Sequence, residues 1–181
     1  RYVDLRQIDL DAVAAAAADG YPAEVMPFLE ERGPHILFTP YLRSLAAELI
    51  GDEPNPLKIA RSFYDYITCN LRYSYVRDYA ALDSIAEYMA INQKGDCGVM
   101  AILFITLCRI AGIPAKWQSG IDSEPNDIGE HDWAQFYVPS VGWLYCDPSF
   151  GRSCRLRNRE EMWNFFFGNI EPFRIPLNCD M

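Results

Sequence analysis

The sequence predicts an α+β fold, with a helical N-terminal half followed by an antiparallel sheet. Two observations carry this. Up to Pro114 the apolar residues recur at helical spacing between recognisable caps and stops; beyond it they fall in short aromatic and β-branched segments divided by turn residues. Helices first and strands second is the α+β order. A third observation sets the scale: 181 residues, half of them hydrophobic, suffice for one sizeable core without staples.

The elements follow in order. Asp9 to Asp19 is an alanine-rich run of high helix propensity, stopped by Gly20-Tyr21-Pro22. A short helix is expected over Ala23 to Glu31, broken by Gly33-Pro34. Thr39-Pro40 reads as an N-cap followed by proline at the first helical position, opening a helix to Ile50 with Leu42, Leu45, Ala46 and Leu49 on one face. After an acidic, proline-containing linker, Ile59, Phe63, Tyr66, Ile67 and Leu71 mark the next helix. Ser84 to Ile91 is a shorter one. Asp96 caps a long apolar helix from Cys97 to Ile110, which ends at Ala111-Gly112-Ile113-Pro114. Strands are expected at Ala115 to Ile121, Trp133 to Val138 and Trp143 to Asp147, then a helix from Arg159 to Phe167 and an extended tail from Pro172 to Cys179. The division is an N-terminal helical extension, residues 1–38, and a second unit over 39–181.

Composition excludes several roles. A net charge of -9 with a pI near 4.7 leaves no basic face for a phosphate backbone, so nucleic acid is not an expected partner. No apolar run is long enough to span a bilayer. The six cysteines, at 69, 97, 108, 146, 154 and 179, form no C-x-x-C pair, and neither a metal nor a cofactor is called for. Setting one thiol aside as a nucleophile leaves an odd number, which leans toward reduced thiols and a cytoplasmic setting. The chain starts at Arg1, so it reads as a piece of something longer, whose other domains are potential partners.

Chemistry concentrates in K-G-D-C-G-V-M, residues 94–100. Cys97 starts a helix, where free N–H groups and partial positive charge favour a thiolate. Cys108, deep inside the same helix, reads as a small buried hydrophobe. Gly95 and Gly98 are expected to clear space for a substrate carbonyl. A nucleophilic thiol needs a base, and the chain has two histidines, His35 and His131. His131 starts the strand H-D-W-A-Q-F-Y-V and reads equally as a solvated loop residue or a base. Asp147, ending the following strand, reads as an orienting carboxylate or as an ordinary turn residue before Pro148.

The blocks G-D-C-G-V-M-A-I-L-F-I-T-L-C-R-I-A-G-I-P-A-K, H-D-W-A-Q-F-Y-V-P and G-W-L-Y-C-D-P-S-F-G resemble, in order and spacing, the core of the transglutaminase-like superfamily, in its bacterial-type cysteine protease or hydrolase form. Lys116 stands where arginine is usual, and Asp132 lies between His131 and Trp133; neither is expected to touch the triad. The resemblance spans roughly Thr39 to Gly151. It implies a papain-like fold, with Cys97 as nucleophile, His131 as base and acid, and Asp147 as orienter.

The implied reaction is acyl transfer on a peptide or amide bond through a thioester, with a peptide or protein as substrate and hydrolysis the expected outcome. A protein-glutamine transglutaminase or deamidase is the alternative reaction, and a non-catalytic peptide-binding module the alternative class. No D-x-D-x-D-G loop points to calcium. The Cys97 N–H is one expected oxyanion donor, with Gln93, Tyr73 and Tyr75 as candidates for a second. Trp133, Gly98 and Asp132 are candidate cleft residues. The acidic loop from Asp122 to Asp132 fits a solvated charge run or a preference for cationic substrates.

Overall fold

The structure is a computed structural model describing residues 2–125 and 127–179. The helical half contains α1 (Leu10–Ala18), α2 (Pro40–Ile50), α3 (Pro56–Asn70), α4 (Ile85–Asn92) and α5 (Cys97–Ile110). Each starts at a side-chain cap that satisfies N–H groups lacking a helical partner: Asp9, Thr39, Asn55, Ser84 and Asp96. The segment expected as a helix from Ala23 is instead a 3₁₀ stretch, Ala23–Leu29. Pro27 inside it has no N–H to offer an α-helical ladder.

The strands β3 (Ala115–Glu124), β4 (Asp127–Val138) and β5 (Gly142–Cys146) form the expected meander. β3 and β4 are longer than expected, because pairing continues through the acidic segment to Glu124 opposite Asp127. Two further strands, β6 (Phe167–Gly168) and β7 (Arg174–Cys179), complete a five-stranded sheet of order β6-β5-β4-β3-β7. A separate parallel pair joins β1 (Arg72–Tyr73) to β2 (Lys94–Gly95).

The helix α6 (Pro148–Leu156) lies where the sequence predicts none. Asp147-Pro148, a common turn signal, is also an N-cap followed by proline at N1: the Asp147 carboxylate accepts the Phe150 N–H at 2.9 Å. α7 (Glu160–Phe165) follows.

The core is built around α5, whose residues from Gly98 to Arg109 are all buried. Strand alternation turns Ala134, Phe136 and Val138 toward it, and Phe104 meets Phe136 edge-on at 5.6 Å. α3 packs beside α5 and α6 with Phe63, Tyr64 and Ile67 fully buried. The N-terminal segment joins this core through Val13 and Ile36, while Asn169 brackets Val3 with hydrogen bonds of 2.8 and 2.9 Å.

Gly151 on α6 is where this packing is least forgiving. A Cβ there would lie 1.9 Å from the Tyr64 hydroxyl, which donates to the Trp163 carbonyl at 2.6 Å. Gly151→Ala is therefore expected to cost about 1–3 kcal/mol of unfolding free energy, measured in urea, through overpacking and loss of that bond.

Candidate active site

The site forms where the start of α5 meets the middle of β4 and the end of β5. Asp96 caps α5 by accepting the Val99 N–H at 3.1 Å, and the Tyr79 hydroxyl donates to the same carboxylate oxygen. Cys97, the first residue of the helix, is half-buried. The β1–β2 pair sets Tyr73 opposite Gly95, two residues before Cys97, which brings the Tyr73 phenol within electrostatic reach of Cys97.

β4 and β5 pair with Ala134 opposite Cys146, which carries His131 to Asp147. His131 Nε2 lies 2.7 Å from Asp147 Oδ2, the histidine 7 % exposed and the aspartate not at all. Oδ1 of Asp147 accepts the Ser149 hydroxyl at 2.8 Å as well as the Phe150 N–H. Oδ2 also faces Arg174 Nη2 at 2.8 Å. The Phe150 ring lies 4.6 Å from the imidazole on one side, and Trp133 stacks at 6.2 Å.

Burial works to lower the His131 pKa, but the charge and hydrogen bond of Asp147, and then Cys97, outweigh it and push the value up to about 10. Burial works to raise Asp147; the attraction and hydrogen bond of His131, then Arg174 and the Phe150 N–H, hold it well below the usual carboxylate range. The pair is thus an imidazolium and a carboxylate at neutral pH, with Cys97 close enough to act on the same imidazole. Such an arrangement can hold a thiolate, and can deliver a proton beside the sulfur.

Asp132 overturns one expectation. Its Oδ2 lies 3.8 Å from Cys97 Sγ, so this residue does touch the proposed triad. Strand alternation explains it: Asp132 belongs with Ala134 and Phe136, which face α5, and therefore meets the start of that helix. Burial, and next Asp96 and Asp147, raise it against the pull of His131 and Cys97, to about 6.

The glycines also differ from expectation. A Cβ on Gly98 would lie 2.2 Å from the Tyr79 hydroxyl and 2.7 Å from Asp132 Oδ2, and one on Gly95 would lie 2.0 Å from Val99 Cγ2. Both admit the protein's own side chains against the backbone rather than leaving open space. Trp133 is 1 % exposed with its indole N–H donated to Gln118 Oε1 at 2.7 Å, so it backs the histidine instead of facing an open cleft. Of the oxyanion candidates, Tyr73 is at Cys97, whereas Gln93 closes α4 as an exposed, left-handed C-cap and Tyr75 is 86 % exposed. Burial, and then Cys97, raise the Tyr73 phenol to about 12.

Arg174, Ser149 and Tyr79 were not anticipated. Ser149 follows Asp147 by two and was legible as part of a helix start. Arg174 lies in the extended tail, with no local pattern to announce it; the need of a buried carboxylate for a cation was the one available signal. Among the described residues no cluster of His, Cys, Asp and Glu is arranged to hold a metal ion, no helix is long and apolar enough to cross a membrane, and the cysteines are unpaired thiols.

Two curated relatives align at 25 % identity: the uncharacterized protein YebA of Bacillus subtilis, over 61 % of this chain and 17 % of its own length, and an uncharacterized protein of Haemophilus influenzae, over 87 % and 51 %. The chain thus spans about half or less of the relatives it matches. Among solved structures, a putative cysteine protease from Cytophaga hutchinsonii superposes with a TM-score of 0.62 at 24 % identity, covering 81 % of this chain and 48 % of that one. The periplasmic domain of TgpA from Pseudomonas aeruginosa gives 0.60 at 18 %, covering 81 % and 54 %. Both show the papain-like fold. Residues 43–148, more than half of the sequence and inclusive of Cys97, His131 and Asp147, match the family's sequence profile: the chain belongs to the transglutaminase-like superfamily.

Proposed function

We propose that the chain is a cysteine-dependent acyl-transfer enzyme acting on peptide or amide bonds, with residues 39–181 as the catalytic unit and hydrolysis as its outcome. The observation that carries this is the 2.7 Å contact between His131 and a fully buried Asp147, beside a thiol at a helix start. The Cys97 sulfur attacks the carbonyl carbon, and the oxyanion forms against the Cys97 N–H. Collapse breaks the C–N bond as His131 gives its proton to the departing amine, leaving a thioester. Water then attacks while His131 takes its proton; the C–S bond breaks, releasing the acid and returning the Cys97 thiolate beside the His131 imidazolium. Tyr73, with its raised pKa, stays a hydroxyl throughout and is the favoured second oxyanion donor.

A thioester on a half-buried sulfur is open to water, which supports hydrolysis over transamidation. p-Nitrophenyl acetate tests the reading. A burst of about one equivalent of nitrophenolate, with an acetyl mass on Cys97, is expected; both should vanish in Cys97→Ala and persist in Cys69→Ser. No burst and no acetylated Cys97 would favour the binding-module reading instead. Adding dansylcadaverine after the burst separates the two reactions, since a dansylated product in place of free acetate would mean transamidation.

A further inference from the structure

The mechanism does not use Arg174, a buried cation at the edge of the site. Arg174 sits on β7, outside the matched segment 43–148, yet its side chain is 2 % exposed and its Nη2 faces Asp147 Oδ2 at 2.8 Å, the same oxygen that holds His131 Nε2. Its guanidinium lies over Phe150 at 4.4 Å and near Trp133 at 5.2 Å, the two rings that flank the imidazole. Glu171 grips it from the other side, through Nε and, at 3.1 Å, through Nη2. A planar, permanently charged fork suits this position, since it can serve two carboxylates and stack between rings.

We propose that Arg174 is a positioning residue for the acyl transfer proposed above: it fixes the Asp147 carboxylate through Oδ2, the oxygen it shares with His131, and draws off part of its charge, so that the imidazolium releases its proton to the departing amine. Asp147 acting alone would hold that proton more tightly, because its whole charge would fall on the imidazole. The tail strand is then part of the catalytic apparatus, with Arg174 acting through Asp147 and touching no reacting atom.

The groups surrounding the pair set the test. Cys97 on α5, Asp132 on β4, Tyr64 on α3, Cys146 on β5, Cys154 on α6 and Glu171 in the tail all bear on His131, Asp147 or Arg174. Burial raises Tyr64, Cys146 and Cys154, which keeps them neutral where the enzyme would work. Working in a Cys97→Ala background removes the thiol nearest the imidazole. With only two histidines in the chain, NMR of the imidazole protons reads His131 directly and His35 as an internal reference.

In that background Arg174→Gln is expected to raise the His131 midpoint by about one pH unit, and Arg174→Lys, which keeps the charge, to move it less than half as far. A merely structural role would lower stability and leave the midpoint in place. Should Arg174→Gln fail to fold, Glu171→Gln carries the test, because freeing Arg174 from its outer partner is expected to lower the midpoint. An unmoved His131 midpoint in whichever of these variants folds would overturn the proposal. The readout involves no turnover, so it stays separate from the nitrophenyl burst, whose absence would sink the enzymatic reading alone.

Discussion

Asp147→Ala is expected to be the most damaging single change, lowering stability by about 3–5 kcal/mol and slowing acylation by a factor on the order of 10³–10⁴. The reason is local. Asp147 accepts from His131, Ser149 and the Phe150 N–H and pairs with Arg174, so its removal leaves a buried imidazolium and a buried guanidinium without their shared anion. It also removes the cap of α6, which holds Gly151 against Tyr64. Asp147→Asn keeps the volume but offers an amide N–H to groups that are themselves donors, so activity should fall nearly as far with a smaller loss of stability. Urea unfolding and the nitrophenyl burst rate check the two halves.

The second large effect is the dependence of stability on pH. His131 has its folded pKa raised to about 10, so its contribution is fully present below its unfolded value, near 6.5, and is lost as pH rises toward 10. Asp147 is lowered, so the same interaction is lost from the other end as pH falls below the ordinary carboxylate range. Asp132 acts oppositely to a paired carboxylate: raised to about 6, it binds a proton more tightly when folded, and stability declines as pH rises from about 4 to 6. The chain should accordingly be most stable in mild acid and lose a few kcal/mol between about pH 6.5 and 10. His131→Ala should flatten the alkaline decline, and Asp132→Asn the decline between about pH 4 and 6. Stability rising from pH 6.5 to 9 would contradict this.

How much of this was legible in the sequence follows from the range of each interaction. Caps are local, so Thr39-Pro40, Asp96 and the stop at Gly112-Ile113-Pro114 read directly, and α2 and α5 begin and end as expected. The strand over Trp133 to Val138 was legible, whereas the face that meets α5, made by Ala134, Phe136 and Val138, comes from the structure. Asp147-Pro148 was ambiguous because the same two residues serve a turn and a helix start; only the packing of Gly151 and Cys154 onto the core decides for α6. Cys97, His131 and Asp147 could be singled out by residue type and spacing. Their neighbours Arg174 and Tyr79 could not, since each reaches the site from an element whose position depends on the whole sheet or on the long connection before α4. Asp132 was visible as a neighbour of His131, and strand alternation, which sets it on the face that meets the start of α5, is what brings it to Cys97.

In the proposed mechanism Cys97 is set apart from the other thiols by its partnership with His131. Brief treatment with substoichiometric iodoacetamide near neutral pH, followed by peptide mapping, tests it most directly, with the exposed Cys69 and Cys179 as internal standards. Cys97 is expected to be alkylated at least about tenfold faster than either, although it is the less exposed, and His131→Ala should abolish that advantage. Equal labelling of the three, or a Cys97 rate that His131→Ala leaves unchanged, would contradict the account.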